Sequence, residues 1–180
     1  MEQTEFHLDV WRVDLCGERI EPVALHIRNG RIHRIEPIPA AKANGFVIPG
    51  FVDAHVHIES SMLMPTEFAR VAVTHGTVAT VSDPHEIANV CGIEGVELML
   101  ANAAKSPLKF HFGAPSCVPA TQFETAGAQL GVADVERLLD DPRINHLSEM
   151  MNFPGVLSGN LEVMSKITAA RSRGMPIDGH

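Results

Sequence analysis

Two hydrophobic rhythms divide this chain. Up to about residue 45, apolar and polar positions alternate, as in Phe6, Leu8 and Val10 and again in Val23, Leu25 and Ile27. A period of two puts alternate side chains on one face of a strand, so residues 1–45 read as a small antiparallel β segment. Asn29-Gly30 sits between two such runs as a tight hairpin signal. The apolar run from Phe46 to Val52 reads as a buried strand. From there strand and helix alternate, with strands opening near Ile48, Thr77, Leu108, Ile144 and Met175, roughly 29 to 36 residues apart. Pro65 opens a helix with an apolar stripe at Phe68, Val71 and Ala72, and Gly76 stops it. Gly92 to Lys105, Asp134 to Asp140 and Leu161 to Arg173 give three more helices, whose Met and Leu stripes read as core.

Parallel strands joined by helices form either an open doubly wound sheet or a closed (β/α)₈ barrel. No G-x-G-x-x-G opens a helix after the first strand, which counts against a dinucleotide fold. Polar residues instead appear at each strand end: His55 and His57, Asp83 to Glu86, Ser116 and Cys117, Glu149, and His180. Several strand ends aimed at one mouth is the barrel arrangement. The expected fold class is therefore α/β, a parallel (β/α) barrel with about five of its eight units present, over residues 46–180.

His55 and His57 stand two apart on a strand, with Asp53 beneath them, so both imidazoles point the same way and read either as a pair able to grip one metal ion or as two incidental histidines on a half-exposed strand. Asp83, His85 and Glu86 form a second constellation in the next strand-to-helix loop. It reads either as functional, contacting a substrate, orienting water or holding a separate ion, or as a turn with a helix start. Cys117 lacks an adjacent base and is read as a buried thiol, not a nucleophile. His7, His26, His33, His75, His111 and His146 read as surface or core residues, and parity sets His146 on the face opposite Glu149.

Composition narrows the partners. The formal charge is −8 and no Lys/Arg cluster is present, which argues against a nucleic-acid backbone as ligand. No apolar run approaches 18 residues, so no membrane partner is expected, and the acidic start Met1-Glu2-Gln3-Thr4-Glu5 shows no signal-peptide pattern. The 3 cysteines are far apart, which fits a cytoplasmic protein without a disulfide framework.

Four long motifs sharpen this reading: P-G-F-V-D-A-H-V-H-I-E-S-S-M from Pro49, S-D-P-H-E-I-A-N-V from Ser82, P-S-C-V-P-A-T from Pro115 and S-E-M-M-N-F-P-G-V from Ser148. In this order they resemble the adenine deaminases of the amidohydrolase superfamily, and Asp178-Gly179-His180 looks like the opening of the next motif. The resemblance implies two divalent ions, Mn or Fe with Zn possible, held by His55, His57, His180 and a bridging Glu149. It implies hydrolysis of adenine to hypoxanthine and ammonia, with Glu149, His85 and Glu86 as catalytic residues and Asp83 and Ser116 against the substrate. It further implies that residues 1–44 belong to a composite β-sandwich, and that complete relatives take a further histidine and an aspartate from barrel strands absent here. The strand Ile144 to Glu149 holds no lysine, whereas many cyclic-amide hydrolases of the superfamily carry a carboxylated lysine there. Alternatives are a split, non-catalytic metal-binding module that associates with a C-terminal fragment or with itself, and an amidohydrolase acting on a cyclic amide. An open parallel edge favours association, so a homo-oligomer or a complementary fragment is the expected partner. The isolated chain is expected to be inactive.

Overall fold

The computed structural model describes residues 4–121 and 123–180. Met1, Glu2 and Gln3, which belong to the stretch lacking a signal-peptide pattern, lie outside them. Two compact units are present, Met1–Gly50 and Phe51–His180.

In the first unit, β1 (Glu5–Asp14), β2 (Arg19–Arg28), β3 (Arg31–Pro37) and the short β4 (Phe46–Val47) form one sheet in the order β3-β2-β1-β4. Antiparallel pairing sets Leu8 opposite Leu25 and Val10 opposite Val23, so the alternating apolar set falls on one face. Val10, Val23 and Leu25 make a small core with Ile27 and Val47 against it. Asn29 and Gly30 join β2 to β3 with φ of 52° and 72°. Two positive φ values give the primed turn whose twist matches that of the strands.

The expectation of one buried strand across 46–52 is not met. β4 spans two residues and pairs parallel with β1, and the next strand starts a different sheet. Pro49 has no N–H to give to a ladder, which explains the break. Phe46 is 68% exposed and Phe51 57%, so the run is not buried either.

The second unit carries β5 (Phe51–Val56), β6 (Thr77–Ser82), β7 (Lys109–Ala114) and β8 (Ile144–Leu147), all parallel and adjacent in sequence order. Between and after them run α1 (Pro65–Ala72), α2 (His85–Ala103), α3 (Val132–Leu139), α4 (Phe153–Ser158) and α5 (Leu161–Ser172). The strand expected near Met175 is present as a parallel bridge from Ile177 to Leu147. It is fastened by Leu147 N donating to Pro176 O and Asp178 N donating to Leu147 O, each at 3.0 Å. Neighbouring parallel strands in sequence order, each followed by helix, make a partial α/β barrel.

The main core joins Phe112 and Leu147 of the sheet to Val96, Met99, Leu138 and Ile167 of the helices. Each such side chain stabilises the fold by about 1.5–3 kcal/mol through burial. Helix ends are fixed locally and across elements. Thr66 N at the start of α1 donates to Asn102 Oδ1 of α2, and Asn160 Oδ1 accepts from Glu162 N and Val163 N at the start of α5.

Two helices differ from the sequence expectation. α2 begins at His85 rather than Gly92, and it bends at Gly92, where φ is 62° and ψ is −146°. A residue with a β-carbon is strained there, so a glycine that reads as a helix start in fact marks a kink. α4 carries no periodic stripe and was not expected. Asn152 Oδ1 accepts from Gly155 N at 2.9 Å to start it, and Gly159 ends it at a φ of 69°. Among the described residues, no helix is long and apolar enough to cross a membrane.

Candidate metal centre

Three strand ends and the bridge at Ile177 deliver side chains to one place. His55 lies in β5 and His57 just past it, Asp83 follows β6, His85 opens α2, and Glu149 stands two residues beyond β8. His57 Nε2 is 3.2 Å from Glu149 Oε1, and His55 Nε2 is 3.6 Å from Glu149 Oε2. His85 Nδ1 lies 2.9 Å from Asp83 Oδ2 and 3.7 Å from Glu149 Oε1. His57, Asp83, His85 and Glu149 each offer a ligand atom within 4.8 Å of the others. Asp83 and Glu149 are both 4% exposed, so two carboxylates are held largely out of water.

The hydrogen bonds fix which imidazole nitrogens are bare. His57 Nδ1 faces the carbonyl of Asp83 at 3.1 Å, and His55 Nδ1 faces Asp178 Oδ2 at 3.1 Å. Both partners only accept, so in the neutral rings Nδ1 carries the hydrogen and Nε2 carries a lone pair. The two Nε2 atoms nevertheless sit 3.1 Å apart, with Glu149 against both. Two lone pairs and a carboxylate at that distance repel unless a cation lies among them. Adjacent ligands about 2.1 Å from one ion have about this separation, and a ligating histidine usually gives its other N–H to a carboxylate or carbonyl. Asp83 Oδ1 is buried without a hydrogen-bond partner, a costly state that a cation also relieves. The residues present therefore fit a divalent metal.

Around this centre lies a second ring of polar groups. Ser60 Oγ donates to Glu86 Oε1 at 2.6 Å, and Glu86 Oε2 is 3.4 Å from His57 Nδ1. Burial, and then the neighbouring Glu86, push the Glu59 carboxyl above the usual range. Asp53 accepts from His55 N at 3.3 Å, which places it under the pair. Ser116 is 1% exposed and its hydroxyl donates to the carbonyl of Glu149. No contact brings His180 into the cluster. Asp178, two residues earlier, does reach it through His55, a contact for which the sequence held no signal beyond its place in Asp178-Gly179-His180.

One expectation is reversed. His146 shares the interior with the site rather than facing away. A β-carbon built on Gly113 would lie 2.5 Å from His146 Nε2 and 2.2 Å from Ser148 Oγ, and the charges of Asp178, Asp83 and His55 act on the His146 ring. Parity misleads because β8 ends at Leu147, so alternation no longer governs residues 148 and 149.

His85 and His146 respond to this setting in opposite senses. Burial disfavours charge on His85, but the hydrogen bond to Asp83 and the charges of Asp83, Glu86 and Glu149 outweigh it and raise its pKa. Burial lowers that of His146, against the pull of Asp178 and Asp83. In the metal-free chain, proton binding at His85 thus contributes stability below about pH 6.5, lost as pH rises through its raised value. His146 acts the other way, opposing folding as pH falls below about 6.5. Imidazole NMR signals are expected to titrate above the free-histidine midpoint for His85 and below it for His146. A coincident midpoint for the two rings contradicts this electrostatic picture.

Comparison with known proteins places the geometry in context. The chain is 56% identical over 168 residues to the adenine deaminase of Salinibacter ruber, covering 93% of this chain and 31% of that protein. It is 52% identical over 161 residues to the adenine deaminase of Methanothermobacter thermautotrophicus, covering 89% and 30%. It is 47% identical over 177 residues to that of Borreliella burgdorferi, covering 97% and 32%. The chain thus spans about a third of the length of the curated relatives it matches. Residues 46–180, which include every member of the cluster, match the amidohydrolase family, and on that match the chain belongs to the amidohydrolase family.

Proposed function

We propose that this chain supplies the metal-binding half of an adenine deaminase. Water adds through oxygen to C6 of adenine, the bond from C6 to the exocyclic nitrogen breaks, and hypoxanthine and ammonia result. The observation that supports it most is the pair of bare imidazole nitrogens, 3.1 Å apart, closed over by Glu149. The relatives at about half identity supply the choice of adenine.

We assign His55, His57, Asp83 and Glu149 as the residues that would hold a divalent ion, with Glu149 available to a second ion that His180 would help to hold. The mixed histidine and carboxylate set favours Mn or Fe at least as well as Zn. When bound, such an ion would supply Lewis acidity that lowers the pKa of water toward about 7. The residues of the chain do the rest. Asp178 and the Asp83 carbonyl hold the two rings in one tautomer. His85 stands between Asp83 and Glu149, 2.9 and 3.7 Å away, within reach to take and return a proton, and Glu86 holds its place through Ser60. Asp83, given from the sequence to the substrate, fits a ligand role better because its free oxygen is buried among the other donors. Ser116 is enclosed and its hydroxyl donates to the Glu149 carbonyl, so it fits a supporting role behind Glu149 better than contact with the substrate. The β segment we assign to a composite sandwich domain.

A second reading, an assembly module that pairs with a complementary chain, is favoured by the exposure of Val52 at 56% and Phe51 at 57% on the edge strand β5. Joining these residues to the remaining two thirds of the Salinibacter ruber enzyme separates the readings. With Mn²⁺, the chimera is expected to release ammonia from adenine and to leave dihydropyrimidines intact, while the 180 residues alone show no turnover. A folded, metal-loaded chimera that opens dihydropyrimidines but not adenine defeats the deaminase reading, and turnover by the chain alone defeats the division of labour.

A further inference from the structure

Lys166 is a lysine in the wrong place for a surface residue: it lies in α5, 5% exposed. Its ammonium donates to the carbonyls of Ser116 at 3.1 Å and Leu130 at 2.8 Å, and pairs with Glu162 Oε1 at 3.1 Å. Ser116 and Leu130 are buried residues near the two ends of the loop between β7 and α3, so one cation ties both ends of that loop to α5. Ser116 then passes the constraint on, because its hydroxyl donates to the main-chain carbonyl of Glu149. On the far side of Glu149, Met150 N donates to Asp178 O at 3.1 Å, and Asp178 orients His55. A buried charge of this kind is costly to hold and is retained where its hydrogen bonds fix a geometry.

We infer that Lys166 is a positioning residue for the metal centre, acting through Ser116 to set the main chain that presents Glu149. The inference rests on the metal-binding reading above. Helix α5 and the β7 loop thereby become part of what fixes ligand placement, although neither offers a ligand. Losing such a support costs metal affinity about 10–100-fold in metal sites generally.

The test is a Mn²⁺ titration by electron paramagnetic resonance on the 180-residue chain, with thermal melting and amide hydrogen exchange measured alongside. Lys166→Met keeps the length of the stem and removes the donor. Ser116→Ala removes one hydroxyl and serves if the lysine variant does not fold. Both are expected to weaken Mn²⁺ binding about tenfold and to speed exchange across residues 147–151. Glu162→Gln, which alters only the exposed end of the pair, is expected to match the wild type. A purely structural lysine would lower the melting temperature without changing Mn²⁺ affinity in the chain that remains folded, and that result overturns the inference. So does weakening by Lys166→Met with Ser116→Ala silent, because the route then bypasses the hydroxyl. Should the wild type itself take up no Mn²⁺, the metal reading fails and the positioning role falls with it, whereas Mn²⁺ uptake by the wild type with unchanged affinity and exchange in Lys166→Met overturns the positioning role alone.

Discussion

Replacing Glu149 with glutamine is expected to weaken Mn²⁺ binding by at least ~100-fold, beyond what loss of an outer-shell support costs, and to leave the fold intact. Glutamine has nearly the volume of glutamate, so packing around a side chain that is 6% exposed is kept. What disappears is the negative charge that lies against His55, His57 and His85, at 3.6, 3.2 and 3.7 Å. Without it, the bare nitrogens of His55 and His57 lose the carboxylate that closes over them, and Asp83 and His85 are left as the other donors beside His57. Mn²⁺ titration reads the affinity and circular dichroism of the metal-free chain reads the fold. A folded variant with wild-type affinity removes Glu149 from the ligand set.

The second large effect comes from a residue with no chemistry of its own. Gly113→Ala puts a methyl group 2.2 Å from Ser148 Oγ and 2.5 Å from His146 Nε2. Both side chains are buried, Ser148 at 0% and His146 at 7% exposure, and the Ser148 main chain is tied by its N–H to Ala114 O at 2.9 Å, so the neighbours must shift inside a packed interior. Overpacking of this kind costs about 1–3 kcal/mol. About 2 kcal/mol corresponds to a fall of about 4–8 °C in melting temperature for a chain of this size. Because Ser148 precedes Glu149, the same substitution is expected to weaken Mn²⁺ binding as well. Calorimetry showing an unchanged melting temperature contradicts the close packing described here.

How far these features were legible depends on what each one rests on. The parallel strands followed from spacing and period, because burial of one sheet face against helices imposes both. His55, His57 and Glu149 were legible because a strand end and a long motif name them locally. The split at Pro49 was missed because a continuous apolar run outweighed one proline in the reading. Asp178, Lys166 and Gly113 act through partners 123, 50 and some 30 residues away in the chain, and no local pattern announces such a pairing. His146 was misplaced because parity was carried past the end of its strand. For Asp83 and Ser116 a motif marks the residue without showing which way its oxygen points; that depends on burial and on hydrogen-bond partners distant in sequence.

Imidazoles and carboxylates from separate strand ends come together in a cluster that fits a divalent cation. Titrating the wild-type chain with Mn²⁺ and following the free-ion resonance tests it most directly. The expected result is uptake of at least one ion per chain, reversed by a chelator and lost in Glu149→Gln. A folded wild-type chain that leaves the free-ion signal undiminished throughout the titration contradicts it.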